Sequence, residues 1–204
     1  MITVCCVKVN DKYGPEYVNI LHAMVKRNLS IPHKFVCITD DTTGINPEIE
    51  TKEALFSDGW WTKLSLFAPK CYDFRGKVLY FDLDVVIIAN IKKLATYDAE
   101  FAICRDWMCS TYNSSVMLFE ADSQTQIWER FNADREAGKK SVRDGDQGFI
   151  AAHSTPRVFP ERWISSYKVH CKGVADPISP VVLFHGRPNP CEVQDGWVKE
   201  HWRE

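Results

Sequence analysis

Several features that would fix a function by themselves are missing from these 204 residues. No apolar run approaches the ~20 residues that cross a bilayer. The start, Met1-Ile2-Thr3-Val4-Cys5-Cys6-Val7-Lys8, reads as a strand and not as a secretory leader. There is no excess of either charge: the net charge is −2 and the pI about 6.3. That argues against broad, nonspecific binding to nucleic acid or anionic membrane. The eight cysteines form no C-x-x-C pair, and several sit inside apolar runs. They read as reduced thiols of a soluble cytoplasmic protein. Cys104, Cys109, His170 and Cys171 lack the spacing of an established zinc pattern, so zinc is the weaker reading. Glycine is scarce where a phosphate loop would need it, since Asn10 to Pro15 holds only Gly14. This counts against a nucleotidyltransferase with a glycine-rich loop. No repeat, low-complexity tract or linker is present, and the length suits one domain with a sizeable core.

What the sequence does have is two carboxylates inside an apolar run, Val78 to Ile88. Read as one buried strand, it places Asp82 and Asp84 on the same face. Ionised groups beside a low-dielectric core are costly unless paired or bound to a cation. Each carboxylate would also raise the pKa of the other. A divalent metal removes both problems, whereas the plainer alternative is a strand end that caps the next element.

The order of elements gives the fold class. Residues 2–9 read as a strand and Asn10 to Pro15 as a turn. Residues 15–29 read as a helix, with Val18, Leu21, His22, Val25 and Leu29 at helical spacing. A second strand covers 33–39. Strand, helix, strand in some forty residues is a βαβ unit with a parallel pair. Residues 41–59 read as loop with room for a short strand, Trp60 to Cys71 as helix, and 101–104 as strand. Tyr112 to Ser115 reads as a turn before a strand over 116–120. A helix follows over 124–137, then a basic loop at Lys139 to Arg143, a helix opened by Asp144 to Gln147, a strand at 181–184 and a last helix from Asp195 to Trp202. Alternation early in the chain implies an α/β architecture with a mostly parallel central sheet flanked by helices. Ligands of such sheets bind beyond the carboxyl ends of the strands. Asn10-Asp11, Asp40-Asp41, Asp82/Asp84 and His185 all fall at such ends.

In chain order, these motifs resemble those of the GT-A-fold glycosyltransferases, most closely the glycogenin and galactosyltransferase-like family 8. The matching stretches are Val9 to Tyr13, Thr62-Lys63-Leu64, Tyr80 to Asp84 (the D-x-D motif), Tyr112 to Ser115, Gly145 to Gly148 (a G-D-Q motif), and Val181 to Pro190. D-x-D alone is short and common; five ordered matches around it are specific. The tail from Trp163 to Pro188 also looks like small bacterial and phage-encoded transferases. The resemblance implies a single Rossmann-like GT-A domain over 1–204, with a nucleotide-binding half (1–84) and a donor-sugar and acceptor half (85–204).

The resemblance also implies an activity: metal-dependent transfer of a sugar from a nucleotide sugar, with retention at the anomeric carbon. Asp84 and His185 would ligate the metal, and Asp82 would ligate it or hold the ribose. One imidazole among carboxylates favours Mn²⁺, with Mg²⁺ as the alternative. Lys63, Gly186 and Arg187 would meet the diphosphate. Asn10, Asp11 and Tyr13 would hold the base, Asp11 accepting an imide N–H and so favouring uracil and a UDP-sugar. Asn113, Asp146 and Gln147 would bind the donor sugar near the reacting carbon. The acceptor is left open among glycan, protein and modified DNA, the last resting on Lys139, Lys140 and Arg143. Three departures stand out. Ser115 replaces a glycine, Asn189 replaces a lysine, and His185 lies two places late. A competing class is a nucleotide- or carbohydrate-binding module that never turns over.

Overall fold

The structure, a computed structural model, describes residues 1–108, 111–175 and 177–204, so Cys109 of the zinc alternative lies outside the described residues. In chain order the elements are β1 (Ile2–Lys8), α1 (Pro15–Asn28), β2 (His33–Thr39), β3 (Glu50–Glu53), a 3-10 helix (Gly59–Phe67), β4 (Lys77–Phe81), β5 (Val85–Ile87) and α2 (Lys92–Ala95). They continue with β6 (Phe101–Arg105), β7 (Tyr112–Glu120), α3 (Thr125–Ala133), α4 (Arg135–Lys140), α5 (Gly145–His153), β8 (Arg157–Val158), β9 (Ile164–Ser166), a π-helical turn (Tyr167–Cys171), β10 (Val181–Leu183) and α6 (Gly196–His201).

Seven strands form the main sheet in the order β3-β2-β1-β4-β7-β6-β8. β1 pairs in parallel with both β2 and β4, as the βαβ reading expects. β7 runs antiparallel to β4 and to β6. A second sheet, β5-β10-β9, has an antiparallel and a parallel pair. One apolar core lies between the main sheet, α1 and the second sheet, around Val18, Leu21, Phe81 and Phe184. The other lies under the 3-10 helix, α3 and α5, where Trp61 stacks on Phe131 at 5.5 Å between centroids. α1 starts with Pro15, whose missing N–H would have no helical partner there. Glu16 and the Lys26-Arg27 pair suit the two ends of its dipole.

Four sequence readings are corrected. The run 78–88 is not one strand. It ends at Phe81, turns through Asp82-Leu83-Asp84, and resumes as β5 in the other sheet. A continuous apolar run shows burial but not which sheet buries it. Trp60 to Cys71 is not an α-helix: a 3-10 helix ends at Phe67, before Pro69. Tyr112 to Ser115 is strand throughout, its backbone bonded to β6 across a register shift. Ser115 is not among the residues with positive φ, so the chain needs no glycine there. Residues 124–137 split at Asp134, which caps α4 by accepting the Ala137 N–H.

Candidate active site

β1, β4 and β7 end at one edge of the main sheet or cross it there, and the polar residues of the D-x-D and G-D-Q stretches meet at that edge. Lys63, on the 3-10 helix, is 5% exposed. Its Nζ lies 3.1 Å from Asp82 Oδ1 and 3.0 Å from Asp146 Oδ2, and it donates to Ser114 Oγ at 2.9 Å. Ser114 Oγ in turn donates to Asp146 Oδ2 at 2.6 Å. Tyr80 O–H donates to Asp82 Oδ1 at 2.5 Å. Burial works to raise Asp82, but Lys63, Tyr80 and Ser115 outweigh it and hold the carboxyl below its ordinary value. Burial likewise opposes the charge of Lys63, and Asp146 with Asp82 pushes the ammonium above its ordinary value.

Asp84 lies in different surroundings. It is buried, and the Tyr13 hydroxyl donates to its Oδ2 at 2.8 Å. Burial and the charge of Asp82 push its carboxyl up to about 7, against the Tyr13 hydrogen bond and the more distant Lys12 and Lys63. Beside it opens a pocket of about 170 Å³, lined by Lys8, Asn10, Lys12, Tyr13, Trp60 and both aspartates, among others. Asn10 adopts the left-handed region (φ 59°), and its N–H donates to Asp40 Oδ2 at 3.1 Å. Asparagine tolerates that conformation better than most residues.

A second group sits by the sugar-site candidates. Asn113 Oδ1 accepts the Ser115 N–H at 3.0 Å, and its amide donates to Asp106 at 3.5 Å. Gln147 also donates to Asp106, at 3.4 Å. Asp106 and Ser114 were not singled out from sequence. Asp106 follows the end of β6, and its position at a strand end was the available signal.

Not every expected residue joins. Asp11 is exposed and does not line the pocket. Tyr13 has its ring against Tyr17, at 4.7 Å, and its hydroxyl on Asp84. Arg187 is exposed and pairs with Glu192 at 2.7 Å. Gly186 has φ 71°, and the place a Cβ would take is 3.4 Å from Lys168 Nζ. His185 Nε2 lies 2.6 Å from Ser166 Oγ. Burial and the charge of Lys168 hold its imidazole below the ordinary value, against the pull of Asp106. Among the described residues no three His, Cys, Asp or Glu side chains are grouped as a cation site. The two aspartates by themselves suit a hard divalent ion: both are oxygen donors on one pocket, and Asp84 has a tyrosine hydroxyl as its hydrogen-bond donor.

The architecture is shared with solved glycosyltransferases. A galactosyltransferase, LgtC, solved with donor and acceptor sugar analogs, superposes with a TM-score of 0.68 at 14% identity, over 97% of this chain and 94% of that one. The glycosyltransferase GlyE of Streptococcus pneumoniae TIGR4 gives 0.72 at 12% identity, over 96% of this chain and 58% of its own. The bifunctional glycosyltransferase WbbM gives 0.65 at 12%, over 93% and 46%. No protein-family model and no curated protein matches the sequence. The fold is therefore that of the GT-A glycosyltransferases. Among the described residues no helix is long and apolar enough to cross a membrane.

Proposed function

We propose that this protein is a metal-dependent glycosyltransferase that takes a sugar from a nucleotide sugar, a UDP-sugar by preference, and transfers it with retention. The observation that carries the reading is the joining of the D-x-D and G-D-Q stretches through one buried lysine. Lys63 holds Asp82 and Asp146 together 3.0–3.1 Å from its ammonium, and it lines, with Asp82 and Asp84, the pocket that this reading gives to the nucleotide. In the reaction the bond from the anomeric carbon to the diphosphate oxygen breaks, its electron pair leaving with the diphosphate. An acceptor hydroxyl oxygen forms the new bond to that carbon, and its proton goes to the departing diphosphate oxygen. Mn²⁺, or Mg²⁺ in its place, would be held by Asp82 and Asp84, with His185 joining if it leaves Ser166. A cation there supplies neutralisation of the leaving diphosphate. Lys63 acts by positioning, because its donors are already engaged by Asp82, Asp146 and Ser114. Asn113 and Gln147, braced by Asp106, together with Asp146, would orient the donor sugar. The residues 1–84 form the nucleotide half and 85–204 the sugar and acceptor half. The seven described cysteines are all free, which suits a reducing, cytoplasmic location.

The test is release of nucleotide from a panel of UDP-sugars, with and without Mn²⁺, across glycan, protein and modified-DNA acceptors. Metal-dependent release is expected. Binding of UDP without release of sugar from any donor would leave a binding module instead, and no binding of any sugar nucleotide would remove the reading.

A further inference from the structure

Lys8, the last residue of β1, is 6% exposed and lines the nucleotide pocket with Asn10, Lys12 and Tyr13. Among the described residues no hydrogen bond or ion pair reaches its ammonium. Asp40 and Asp41, beyond the end of β2, feel its charge but stay outside ion-pair distance. Asp40 instead accepts the Asn10 N–H. The cations that Asp84 feels are Lys12 and Lys63. Lys8 is thus a largely buried side chain at the end of β1, opposite Thr39 of β2, while the D-x-D carboxylates follow β4 on the other flank of β1. With no protein partner, that ammonium has three donors free towards the pocket, and a lysine offers no acceptor. Its complement is an acceptor brought by the ligand. The side of the pocket away from the carboxylates is where a nucleotide anchored by its diphosphate at Asp84 would place its base.

We infer that Lys8 reads the nucleobase by donating to a ring carbonyl oxygen, and so selects a carbonyl-bearing base over adenine, which has none. The inference rests on the donor-site reading above. It assigns base discrimination to Lys8 and not to Asp11.

Calorimetric titration of UDP, ADP and inorganic pyrophosphate, each with Mn²⁺, into the wild type and Lys8→Met tests it. The wild type is expected to bind UDP at least roughly tenfold more tightly than ADP, and Lys8→Met to lose roughly ten- to hundredfold for UDP. ADP and pyrophosphate should change less than about twofold in the variant, since neither offers a base carbonyl. Without ligand, Lys8→Met should melt no lower than the wild type, because it removes an unpartnered charge. Equal UDP affinity in both proteins overturns the inference while leaving the donor site intact. Pyrophosphate weakening as much as UDP overturns it in favour of a phosphate contact. A wild type that binds none of the three removes the donor-site reading as well. Should Lys8→Met not fold, Lys8→Leu, which likewise offers no donor, is read by the same UDP-to-ADP ratio.

Discussion

Replacing Lys63 by methionine keeps most of the side-chain volume and removes the charge that Asp82 and Asp146 share. Both carboxylates are then left in a site where the lysine itself is 5% exposed. Removing one partner of a buried ion pair costs about 3–5 kcal/mol, because the other charge stays behind unpaired. For a chain of this size each kcal/mol moves Tm by about 2–4 °C, so the expected loss is roughly 6–20 °C at pH 7.5. The deficit should depend on pH. In the wild type the folded-state value of Asp82 lies below its ordinary 3.8, so its contribution is present above that value and lost only in acid. In Lys63→Met the main influence lowering it is gone, and burial is opposed only by the Tyr80 and Ser115 hydrogen bonds, so the folded-state value rises. The variant then gains stability relative to the wild type as pH falls, and the gap should narrow between pH 7.5 and pH 5. Adding Asp146→Asn should recover part of the loss, with a coupling of about 0.5–3 kcal/mol. Calorimetric melts at the two pH values check each point. A loss under about 1 kcal/mol, the scale of an exposed pair, would falsify the view of Lys63 as the buried counter-charge.

Asp84→Asn should abolish metal-dependent nucleotide release, yet stabilise the protein in chelator. The carboxyl is raised from 3.8 to about 7, so its ionisation penalty is full above pH 7 and disappears as pH falls towards 4. The variant is expected to gain up to about 4 kcal/mol at pH 8 and nothing at pH 4; urea melts showing a difference that is flat with pH would refute this. Ser114→Ala removes the hydroxyl between Lys63 and Asp146 and should cost about 1–3 kcal/mol by the same melts. Gly145→Ala meets a φ of 63° and places a Cβ 2.9 Å from Trp60 Nε1, so a loss of about 1–3 kcal/mol is expected, with altered Trp60 fluorescence. Lys168→Met should move the His185 titration upwards, towards its ordinary value, when followed by NMR; no movement would detach Lys168 from that imidazole.

Much of residues 1–39 could be read from sequence because the signals there are local. A strand, a proline-started helix and a second strand each carry their own pattern, and β1, α1 and β2 fall where that pattern puts them. The errors occur where the backbone's partner decides. Asn113-Ser114-Ser115 has turn chemistry, but it lies within β7: Asn113 pairs with β6, Ser115 O accepts the Asp82 N–H, and the side chains turn inward onto Lys63, Asp106 and one another. Lys63 and Asp146 were each legible as candidates, but a lysine bonding both was not, since nothing in a spacing of some eighty residues encodes a 3.0 Å contact. Asp106 belongs to no motif: beyond its place after the end of β6, it emerges from the side chains that bond to it. Asp11 and Arg187 are exposed, since a polar residue beside a motif can face water as easily as the site.

The three residues between β4 and β5 join the two sheets. Asp82 is tied to the layer of the 3-10 helix through Lys63, and Asp84 to the start of α1 through Tyr13. Phe81 before them and Val85 after them are both fully buried, which fixes where the step begins and ends. Its length therefore cannot drift. One residue more or fewer would carry Leu83 into a place that a carboxylate holds, or pull β5 out of step with β10. Insertions and deletions that surface loops such as 41–49 can absorb are barred here by both sheets at once.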